Sequence, residues 1–233
     1  MVIVTGATGA VGQAIVGKFA AAGQDVCICT HSRPQKAAEL ATDVAAKYNV
    51  RAVWRQFDLA DSDAIRMAFG YFLSVFGHCD YLVNNAAVAP ILPVSMLTDA
   101  QWREVLDVNL SACFYTARAV LGGMYHRGGS ILNVSSMWGQ LGASCEVAYS
   151  AAKAGLEGMT RALAEEYRGT VRVNALSLGF VDTPMNGHMR EEDRVAFFAE
   201  HPTMRCLTPA EAAEAVYALA TEDTTGEVRR FGW

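Results

Sequence analysis

The start of the chain constrains the fold more than any other feature, because it joins a short apolar strand to a helix through a glycine-rich turn. Val2-Ile3-Val4 is typical of a buried strand, and helical sequence follows from Ala10 to Ala22. The turn between them is Thr5-Gly6-Ala7-Thr8-Gly9-Ala10-Val11-Gly12. Glycine lets a backbone approach a pyrophosphate closely, and the N-terminus of the helix offers N–H groups and a favourable dipole. This placement favours a dinucleotide site over a simple tight turn.

Short apolar segments alternate with longer amphipathic ones along the whole chain. The predicted strands are residues 2–4, 26–30, 52–57, 81–83, 130–134, 171–175 and 228–231. The predicted helices are residues 10–22, 34–48, 61–76, a short one from 99, then 108–125, 148–167 and 209–220. Alternation implies parallel pairing through right-handed crossovers, and continuous apolar strands suit a sheet that is covered on both faces. We predict an α/β fold in which residues 1–233 form a single doubly wound domain with a parallel sheet of about seven strands.

The segment 182–205 is the one long stretch in which we predict no regular structure. It contains Pro184, Pro202, several methionines and charges of both signs. Long irregular loops in compact domains often close over a substrate. We therefore expect this segment to be a substrate loop or lid.

Composition excludes several classes of partner. The 233 residues carry a formal net charge of −5, so there is no basic surface for nucleic acid or for an anionic membrane. No apolar run is long enough to span a bilayer. Strand-like sequence begins directly after Met1 and leaves no room for a signal peptide, so we expect a cytoplasmic protein.

The cysteines and histidines do not have the spacing of metal ligands. Cys27 and Cys29 would share one face of a strand, but no second pair accompanies them. Free cysteine behaves as a small apolar residue, so we expect buried reduced thiols and no metal site. The residues concerned are Cys27, Cys29, Cys79, Cys113, Cys145 and Cys206, with His31, His78, His126, His188 and His201.

The end of the second strand indicates which dinucleotide is bound. Proteins that bind NAD place an acidic residue about 20 residues beyond the glycines, where it meets the ribose hydroxyls. Residues 26–38 contain no Asp or Glu, and the strand ends in Thr30-His31-Ser32-Arg33. Hydroxyls and a guanidinium suit a ribose 2′-phosphate. We therefore favour NADP(H) over NAD(H), with an ordinary surface role for Arg33 as the alternative.

Tyr149 and Lys153 are four residues apart at the start of a predicted helix and so share one of its faces. An ammonium near a phenol stabilises the phenolate, so we expect the pKa of Tyr149 to fall below its usual value of about 10. Such a tyrosine can exchange a proton with a carbonyl or an alcohol. Ser135 and Ser136 follow the fifth predicted strand, at the edge where α/β sheets bind ligands.

Taken together, these motifs resemble the short-chain dehydrogenases/reductases over essentially the whole chain. The resemblance rests on the glycine loop, on Asn84-Asn85-Ala86, Asn109 and Ser136, on Tyr149 with Lys153, and on the segments 174–179 and 182–185. It implies a Rossmann fold, with Tyr149 as the acid or base and Lys153 on the nicotinamide ribose. It also implies that Ser136 orients the carbonyl and that Asn109 holds a water linked to Lys153.

The resemblance further implies a set of cofactor contacts, in which Asp58 lies near the adenine and Thr183 near the carboxamide. These contacts are Gly6, Thr8, Gly9, Val11, Gly12, Thr30, His31, Ser32, Arg33, Asp58, Leu59, Asn85, Ala86, Tyr149, Lys153, Gly179, Val181 and Thr183. The chain departs from the family in the even spacing of its loop glycines and in having Leu178-Gly179 for Pro-Gly and Ala87 for a glycine. It also lacks the C-terminal Asp-Gly-Gly, and these departures concern loop geometry and terminal packing.

The function that the resemblance implies is an NADPH-dependent carbonyl reductase, similar to 3-oxoacyl-carrier-protein reductases, that transfers hydride to a small-molecule or carrier-bound ketone. The stretch Ser135–Tyr149 also resembles a reductase of the ketone on modified lysine of elongation factor P, with Glu146 placed to meet an amine. A third hypothesis is an inactive NADP sensor or scaffold, although the intact set of Asn109, Ser136, Tyr149 and Lys153 speaks against it. The resemblance also implies a homo-oligomer, a tetramer or dimer, joined through the helices at 108–120 and 159–164.

Overall fold

The structure is a computed structural model that describes residues 1–187 and 189–233, and a sheet of seven parallel strands lies at its centre. The strands are β1 Val2–Val4, β2 Val26–Thr30, β3 Ala52–Gln56, β4 Tyr81–Asn84, β5 Gly129–Ser136, β6 Val171–Leu178 and β7 Val228–Phe231. Their spatial order is β3-β2-β1-β4-β5-β6-β7. The chain thus begins in the middle of the sheet and winds outward in both directions. The predicted doubly wound α/β fold is confirmed.

Helices connect the strands and cover both faces of the sheet. They are α1 Ala10–Ala21, α2 Pro34–Tyr48, α3 Ser62–Phe76, α4 Asp99–Leu106, α5 Ala112–Arg127, α6 Trp138–Leu141, α7 Val147–Glu166, α8 Glu191–Glu200 and α9 Pro209–Thr221. The local sequence explains where several of these helices begin. The Asp61 carboxylate accepts hydrogen bonds from the backbone N–H groups that open α3, and Thr98 and Thr208 form capping boxes at α4 and α9.

The strands divide their side chains between two apolar layers. In β1, Val2 and Val4 pack with α1, α2 and α9, whereas Ile3 packs with α3 and α5 on the opposite face. This alternation follows from the two-residue period of a strand, and burial on both faces explains the continuous apolar runs. Phe19 is the largest fully buried side chain in the first layer, and Phe69 and Phe72 are the largest fully buried ones in the second.

The cysteines follow the prediction only in part. Cys27 and Cys29 share one face, as predicted, and lie buried beside Ile3 and Met1 in the second layer. Burial raises the pKa of both thiols well above the usual value, so they stay protonated. The expectation of burial is wrong for Cys206, which is exposed, and Cys145 is half-buried, because both lie in loops outside the two layers.

The sheet reverses its winding between β1 and β4, which are neighbours in space. β1 leads to β2 on one side, whereas β4 and β5 extend the sheet on the other side. The loops after β1 and β4 therefore diverge and leave a crevice at the carboxyl ends of these strands, where open α/β sheets bind ligands. This crevice is where the candidate site lies.

Four predictions about local structure need correction. The segment 182–205 is not irregular throughout, because it contains a short 3-10 helix, Pro184–Asn186, and the ten-residue helix α8. Three acidic residues in the first turn of α8 favour a helix through its dipole. His188, which belongs to the predicted lid, lies outside the described residues.

The other corrections concern element boundaries. The long helix predicted from Val108 is continuous with α4 through a π-helical turn, Asp107–Ser111, so Asn109 does not begin a helix. β5 and β6 extend beyond their predicted ends, and Ser135 and Ser136 are therefore the last residues of β5. The strands continue because both pair over eight residues, a tertiary effect that local sequence does not show.

Candidate active site

One cavity of about 1420 Å³ opens at the carboxyl ends of the strands. At one end, which we call the glycine-loop end, it is lined by residues 6–12, the end of β2 and the β3–α3 loop. At the other, which we call the α8 end, it is lined by Trp138 and Leu141 of α6, by residues 142–144, by Glu104 and Glu146, and by residues 184–186, 189, 197 and 201. The ends of β5 and β6 and the first turns of α7 lie between the two.

Backbone conformation shapes the glycine-loop end. Gly6 has φ +61°, and a Cβ on it would lie 2.7 Å from the Cα of Ala86. A Cβ on Gly12 would lie 2.2 Å from the carbonyl oxygen of Gly6, whereas one on Gly9 would meet that oxygen at 3.4 Å. The turn therefore requires glycine at Gly6 and Gly12 but has ordinary room at Gly9. The even glycine spacing noted in the sequence is no obstacle to the geometry.

The glycine turn is fixed to the loop after β4 by hydrogen bonds. The Thr5 hydroxyl accepts from the backbone N–H groups of Asn85 and Ala86, at 3.0 and 3.1 Å. Among the described residues no side chain caps α1, so its first N–H groups face the cavity without a side-chain acceptor. Such a helix N-terminus attracts phosphate through its N–H groups and its dipole. A cradle without room for Cβ atoms, next to that N-terminus, fits the pyrophosphate of a dinucleotide.

Polar residues surround the outer part of the glycine-loop end. Thr30 is 4% exposed, and its hydroxyl lies 3.2 Å from the Thr8 hydroxyl and accepts from the backbone N–H of Arg33 at 3.3 Å. Thr30 therefore orders the turn, while His31, Ser32 and Arg33 present exposed side chains at the cavity. Asp58 also lines this end and is exposed, so the cationic Arg33 shares it with one carboxylate.

Ser136, Tyr149 and Lys153 meet in the middle of the cavity. Ser136 ends β5, and its hydroxyl accepts from the backbone N–H of Trp138 at 3.3 Å. Tyr149 and Lys153 lie on the first two turns of α7. The Lys153 ammonium is 5.6 Å from the centre of the Tyr149 ring and donates to the carbonyl of Val134 at 2.7 Å.

Burial controls the protonation of this group. It raises the pKa of Tyr149 to about 12; interaction with the Ser136 hydroxyl lowers it, and the Glu146 carboxylate raises it further. The predicted fall in the pKa of Tyr149 is therefore wrong, because burial of the phenol has the largest effect on that pKa. Burial likewise lowers the pKa of Lys153 to about 8, an effect that the Cys113 thiol partly opposes.

Asn109 is fully buried in the π-helical turn, and it does not line the cavity. Its side-chain amide donates to the Val88 carbonyl at 2.7 Å and accepts from the Val88 N–H at 2.9 Å. Both ends of the amide are thus bound to one residue of the loop after β4. The backbone carbonyl of Asn109 accepts from the Cys113 thiol at 3.6 Å, so the water linked to Lys153 that the resemblance implies stays a prediction. π-helical turns are frequent at functional sites.

A ladder of buried polar side chains supports the cavity from beneath. Asn84 donates to Asn133 at 2.9 Å, Asn133 donates to Thr160 at 2.9 Å, and Thr116 donates to Asn84 at 2.8 Å. The ladder joins β4, β5, α5 and α7, and so ties together the elements that carry Ser136 and Lys153. Sequence analysis assigned no role to Asn133, Thr116 or Thr160, because a single polar residue in an apolar segment carries no local signal.

Every other predicted cofactor or catalytic residue lines the cavity. These residues are Gly6, Thr8, Gly9, Val11, Gly12, Thr30, His31, Ser32, Arg33, Asp58, Leu59, Asn85, Ala86, Ser136, Tyr149, Lys153, Gly179, Val181 and Thr183. At the α8 end, the sequence indicated Glu146 and the segment 182–205 as a substrate loop, but not which side chains of that segment line the cavity. Trp138 and Phe197 form its aromatic wall, with ring centres 6.0 Å apart, and His201 stacks on Phe197 at 4.8 Å.

The charge of the α8 end differs from that of the glycine-loop end. Glu104 and Glu146 line it, and neither Lys nor Arg is found among the described residues of that lining. The remaining surface is largely apolar, with Ile91, Leu141 and Met185 beside the aromatic wall. This end therefore suits an apolar group that is neutral or positively charged.

In residues 1–187 and 189–233, no three side chains of His, Cys, Asp or Glu are grouped so that they could hold a metal ion. Over the same residues, none of the helices has both the length and the apolar character that crossing a membrane requires.

Comparison with known proteins gives consistent matches over the chain. The family model for short chain dehydrogenases matches residues 1–194. A 3-oxoacyl-acyl-carrier-protein reductase of Aquifex aeolicus is 36% identical over 231 residues, which cover 97% of this chain and 93% of the relative. A cis-4-hydroxycyclohexanecarboxylate dehydrogenase of Sinomonas cyclohexanicum is 35% identical over 94% of this chain and 88% of its own length. An acetoacetyl-CoA reductase of Cupriavidus necator is 34% identical over 95% of this chain and 90% of its own length.

Proposed function

Because the chain belongs to the short-chain dehydrogenase family and is an NAD(P)-dependent oxidoreductase of carbonyl and hydroxyl groups, we propose that it reduces a ketone with NADPH and that Tyr149 donates the proton. The observation that carries this proposal is the meeting of Ser136, Tyr149 and Lys153 in the same cavity as the glycine cradle. Relatives with similar sequences are named for ketones carried on acyl-carrier protein or on coenzyme A. A small-molecule or carrier-bound ketone is therefore the proposed substrate class.

The raised pKa of Tyr149 supports reduction. A phenol with a pKa of about 12 is protonated at neutral pH, which is the form that a proton donor needs. Ser136 holds the carbonyl oxygen and favours the negative charge that develops on it. The nicotinamide supplies the hydride. Tyr149 then gives its proton to that oxygen, and the Lys153 ammonium stabilises the phenolate until a proton returns from solvent.

NADPH is the proposed cofactor because of the charges at the glycine-loop end. Arg33 offers a permanent cation beside His31 and Ser32, and residues 26–38 contain no carboxylate to repel a 2′-phosphate. A hydrogen bond to a charged group contributes roughly 1.5–3 kcal/mol. Since Arg33 is exposed, solvent screening reduces this to a preference of about tenfold.

The experiment that tests this function measures NADPH oxidation with neutral ketones, acetoacetyl-CoA, acyl-carrier-protein thioesters and aminoketones. We expect turnover with at least one class, and a fall of roughly 10²–10⁴-fold in Tyr149→Phe. NADPH binding, followed by its fluorescence, should be retained in that variant because only the proton donor is removed. Wild-type rates in Tyr149→Phe would refute the mechanism. Binding without any turnover would instead favour the NADP sensor or scaffold.

A second candidate substrate has a specific observation in its favour, namely the two carboxylates at the α8 end. Glu104 and Glu146 repel the phosphates of coenzyme A and of carrier proteins, and they attract an ammonium. A ketone that carries an amine, such as the one on modified lysine of elongation factor P, satisfies this charge pattern.

The test compares kcat/KM for an aminoketone with that for the ketone of the same length without the amine, in the wild type and in Glu146→Gln. We expect the wild type to prefer the aminoketone and Glu146→Gln to lose most of that preference. Glu104→Gln is the matched control for the contribution of the second carboxylate. Equal efficiency toward the two ketones in the wild type would remove this candidate.

A further inference from the structure

The short helix α6 lies between the C-terminal strand and α7, and the side chain of Gln140 bonds to both. Arg230 of β7 donates to the Gln140 oxygen at 2.9 Å, and the Gln140 nitrogen donates to the Glu157 carboxylate at 3.2 Å. The same oxygen of Glu157 accepts from the Ser135 hydroxyl at 2.9 Å. The Gln140 amide therefore bridges a cation on one side and a carboxylate on the other, and both its ends are occupied.

The helix that Gln140 holds is in direct contact with the candidate active site. The N–H of Trp138, its first residue, donates to the Ser136 hydroxyl at 3.3 Å. A Cβ on Gly139 would lie 3.0 Å from the backbone of Lys153, so the two helices pack closely at this point. Trp138 also contacts Phe197 of α8 in the aromatic wall. Any movement of α6 would thus displace the Ser136 hydroxyl and one wall of the cavity.

α6 cannot hold this position through its own structure. It has four residues, little more than one turn, and a helix of that length is unstable in water without tertiary contacts. It ends at Gly142, where φ is +74° and the chain reverses into the loop before α7. Glu157, by contrast, is 5% exposed on the long helix α7 and is a fixed point for Gln140 to bind.

We propose that Gln140 is a positioning residue, which fixes α6 between Arg230 and Glu157 and thereby holds the Ser136 hydroxyl and the Trp138 ring in the geometry that ketone reduction needs. This inference rests on the proposed function. It also gives the end of β7 a role in a chain that lacks the family's C-terminal Asp-Gly-Gly, because Arg230 acts on the site through Gln140.

The test replaces each partner with methionine, which keeps length and apolar packing but removes the hydrogen bonds. In Gln140→Met and in Arg230→Met, we expect kcat to fall by roughly 10–100-fold, as small misplacements of reacting groups do. NADPH binding should be unchanged, because the glycine-loop end is untouched. The double variant should be no slower than the slower single variant, since each substitution already breaks the bond between Arg230 and Gln140.

Arg229→Met is the matched control on the same strand. Arg229 is paired with Glu222 and Glu227, away from α6. We expect this variant to lose thermal stability while kcat stays at the wild-type value, which is the opposite of the result for Arg230→Met. Equal loss of kcat in the two variants would show a general effect of the C-terminal strand and would overturn the inference.

The pH profile separates positioning from a purely structural role. The Ser136 hydroxyl lowers the pKa of Tyr149, so a displaced Ser136 raises it. In the direction of alcohol oxidation, which needs the phenolate, the rise of kcat/KM with pH should move to higher pH in Gln140→Met. If Gln140→Met folds and has both an unchanged pH profile and the wild-type kcat, this inference is overturned while the proposed function stands. A wild type that acts on no ketone or alcohol overturns both the proposed function and this inference.

Discussion

The two ends of the cavity are built in different ways. At the glycine-loop end, the turn of residues 6–12 presents mainly backbone from one continuous segment, in which Gly6 and Gly12 lie where a Cβ would collide with other main-chain atoms. The α8 end consists of side chains from three separate parts of the chain, namely Glu104, α6 with the loop that follows it, and residues 184–186, 189, 197 and 201. Backbone surfaces can bind a ligand that many proteins share, whereas side-chain surfaces can change from one protein to another. We therefore expect the first end to indicate the class of cofactor and the second to determine the choice of substrate.

The largest expected effect comes from adding one methyl group to the backbone-built end. In Gly12→Ala the new Cβ would lie 2.2 Å from the Gly6 oxygen, so the turn has to move. We expect loss of NADPH binding and a loss of stability of about 1–3 kcal/mol or more, measured by fluorescence titration and by denaturant unfolding. Gly9→Ala is the control, because its Cβ contact of 3.4 Å is ordinary, and it should bind NADPH normally. Equal binding by the two alanine variants would contradict the comparison.

The next effect concerns Lys153, which lies where the two ends meet. Its folded-state pKa of about 8 is below the usual 10.5, so burial of the ammonium weakens folding below pH 8, and this penalty disappears as the pH rises toward 10.5. The penalty is about 3 kcal/mol. Lys153→Met removes this penalty but leaves the Val134 carbonyl without its hydrogen-bond partner, which costs about 1–2 kcal/mol. We expect Lys153→Met to lose activity by about a hundredfold or more while its stability at pH 7 is equal to or above that of the wild type.

The measurement for Lys153→Met is thermal unfolding at pH 7 and pH 10 beside NADPH oxidation. The Tm of Lys153→Met minus the Tm of the wild type should be larger at pH 7 than at pH 10. Lys18→Met removes a surface cation and serves as the control for a general charge effect. A variant that is clearly less stable than the wild type at pH 7 would show that Lys153 stabilises the fold.

Cofactor preference gives a smaller effect at the glycine-loop end. Thr30→Asp places a carboxylate beside His31, Ser32 and Arg33, where it repels a 2′-phosphate and can bind the hydroxyls of NAD. We expect wild-type kcat/KM to favour NADPH by about tenfold and Thr30→Asp to shift the ratio toward NADH. Thr30→Asn has nearly the same shape without the charge and should shift it less. Equal kcat/KM of the wild type with NADH and NADPH would refute the assignment to NADP.

The sequence predicted one end of the cavity much better than the other, and the reason is physical. Strand, turn and helix at the glycine loop are specified by adjacent residues, so their pattern is local. Parallel pairing and the doubly wound arrangement followed from alternation and from the handedness of crossovers, whereas the order of the strands was not predicted. By contrast, α6 is too short to show a helical period, and α8 was hidden by neighbouring prolines. The direction of the Lys153 ammonium depends on a carbonyl of β5, and the pKa of Tyr149 depends on burial, and no local pattern indicates either.

The smallest expected effect is on the free energy of unfolding, and it concerns a residue with left-handed backbone conformation at each end of the cavity. The glycine-loop end has Gly6 at φ +61°, whereas the loop before α7 has Cys145 at φ +63°. A side chain in this conformation costs roughly 1–2 kcal/mol, and glycine avoids that cost. Glycine also gives the unfolded chain more conformational freedom, which lowers the free energy of unfolding by roughly 0.5–1 kcal/mol. We therefore expect Cys145→Gly to raise the free energy of unfolding by less than about 1 kcal/mol.

Measuring kcat shows whether the strained backbone at Cys145 contributes to catalysis. The Cys145 carbonyl accepts from the N–H of Leu92 at 2.9 Å and so ties the loop 141–146 to the loop after β4. Glycine keeps both the carbonyl and the left-handed backbone, so kcat should stay at the wild-type value, whereas Cys145→Val should lose stability because a branched side chain disfavours positive φ. Asn49→Gly is the control in a distant loop, at φ +55°, and should gain less, since asparagine tolerates this region better than cysteine does. If Cys145→Gly were less stable than the wild type, the thiol itself would be holding the loop, and the α8 end would depend on that side chain rather than on its backbone.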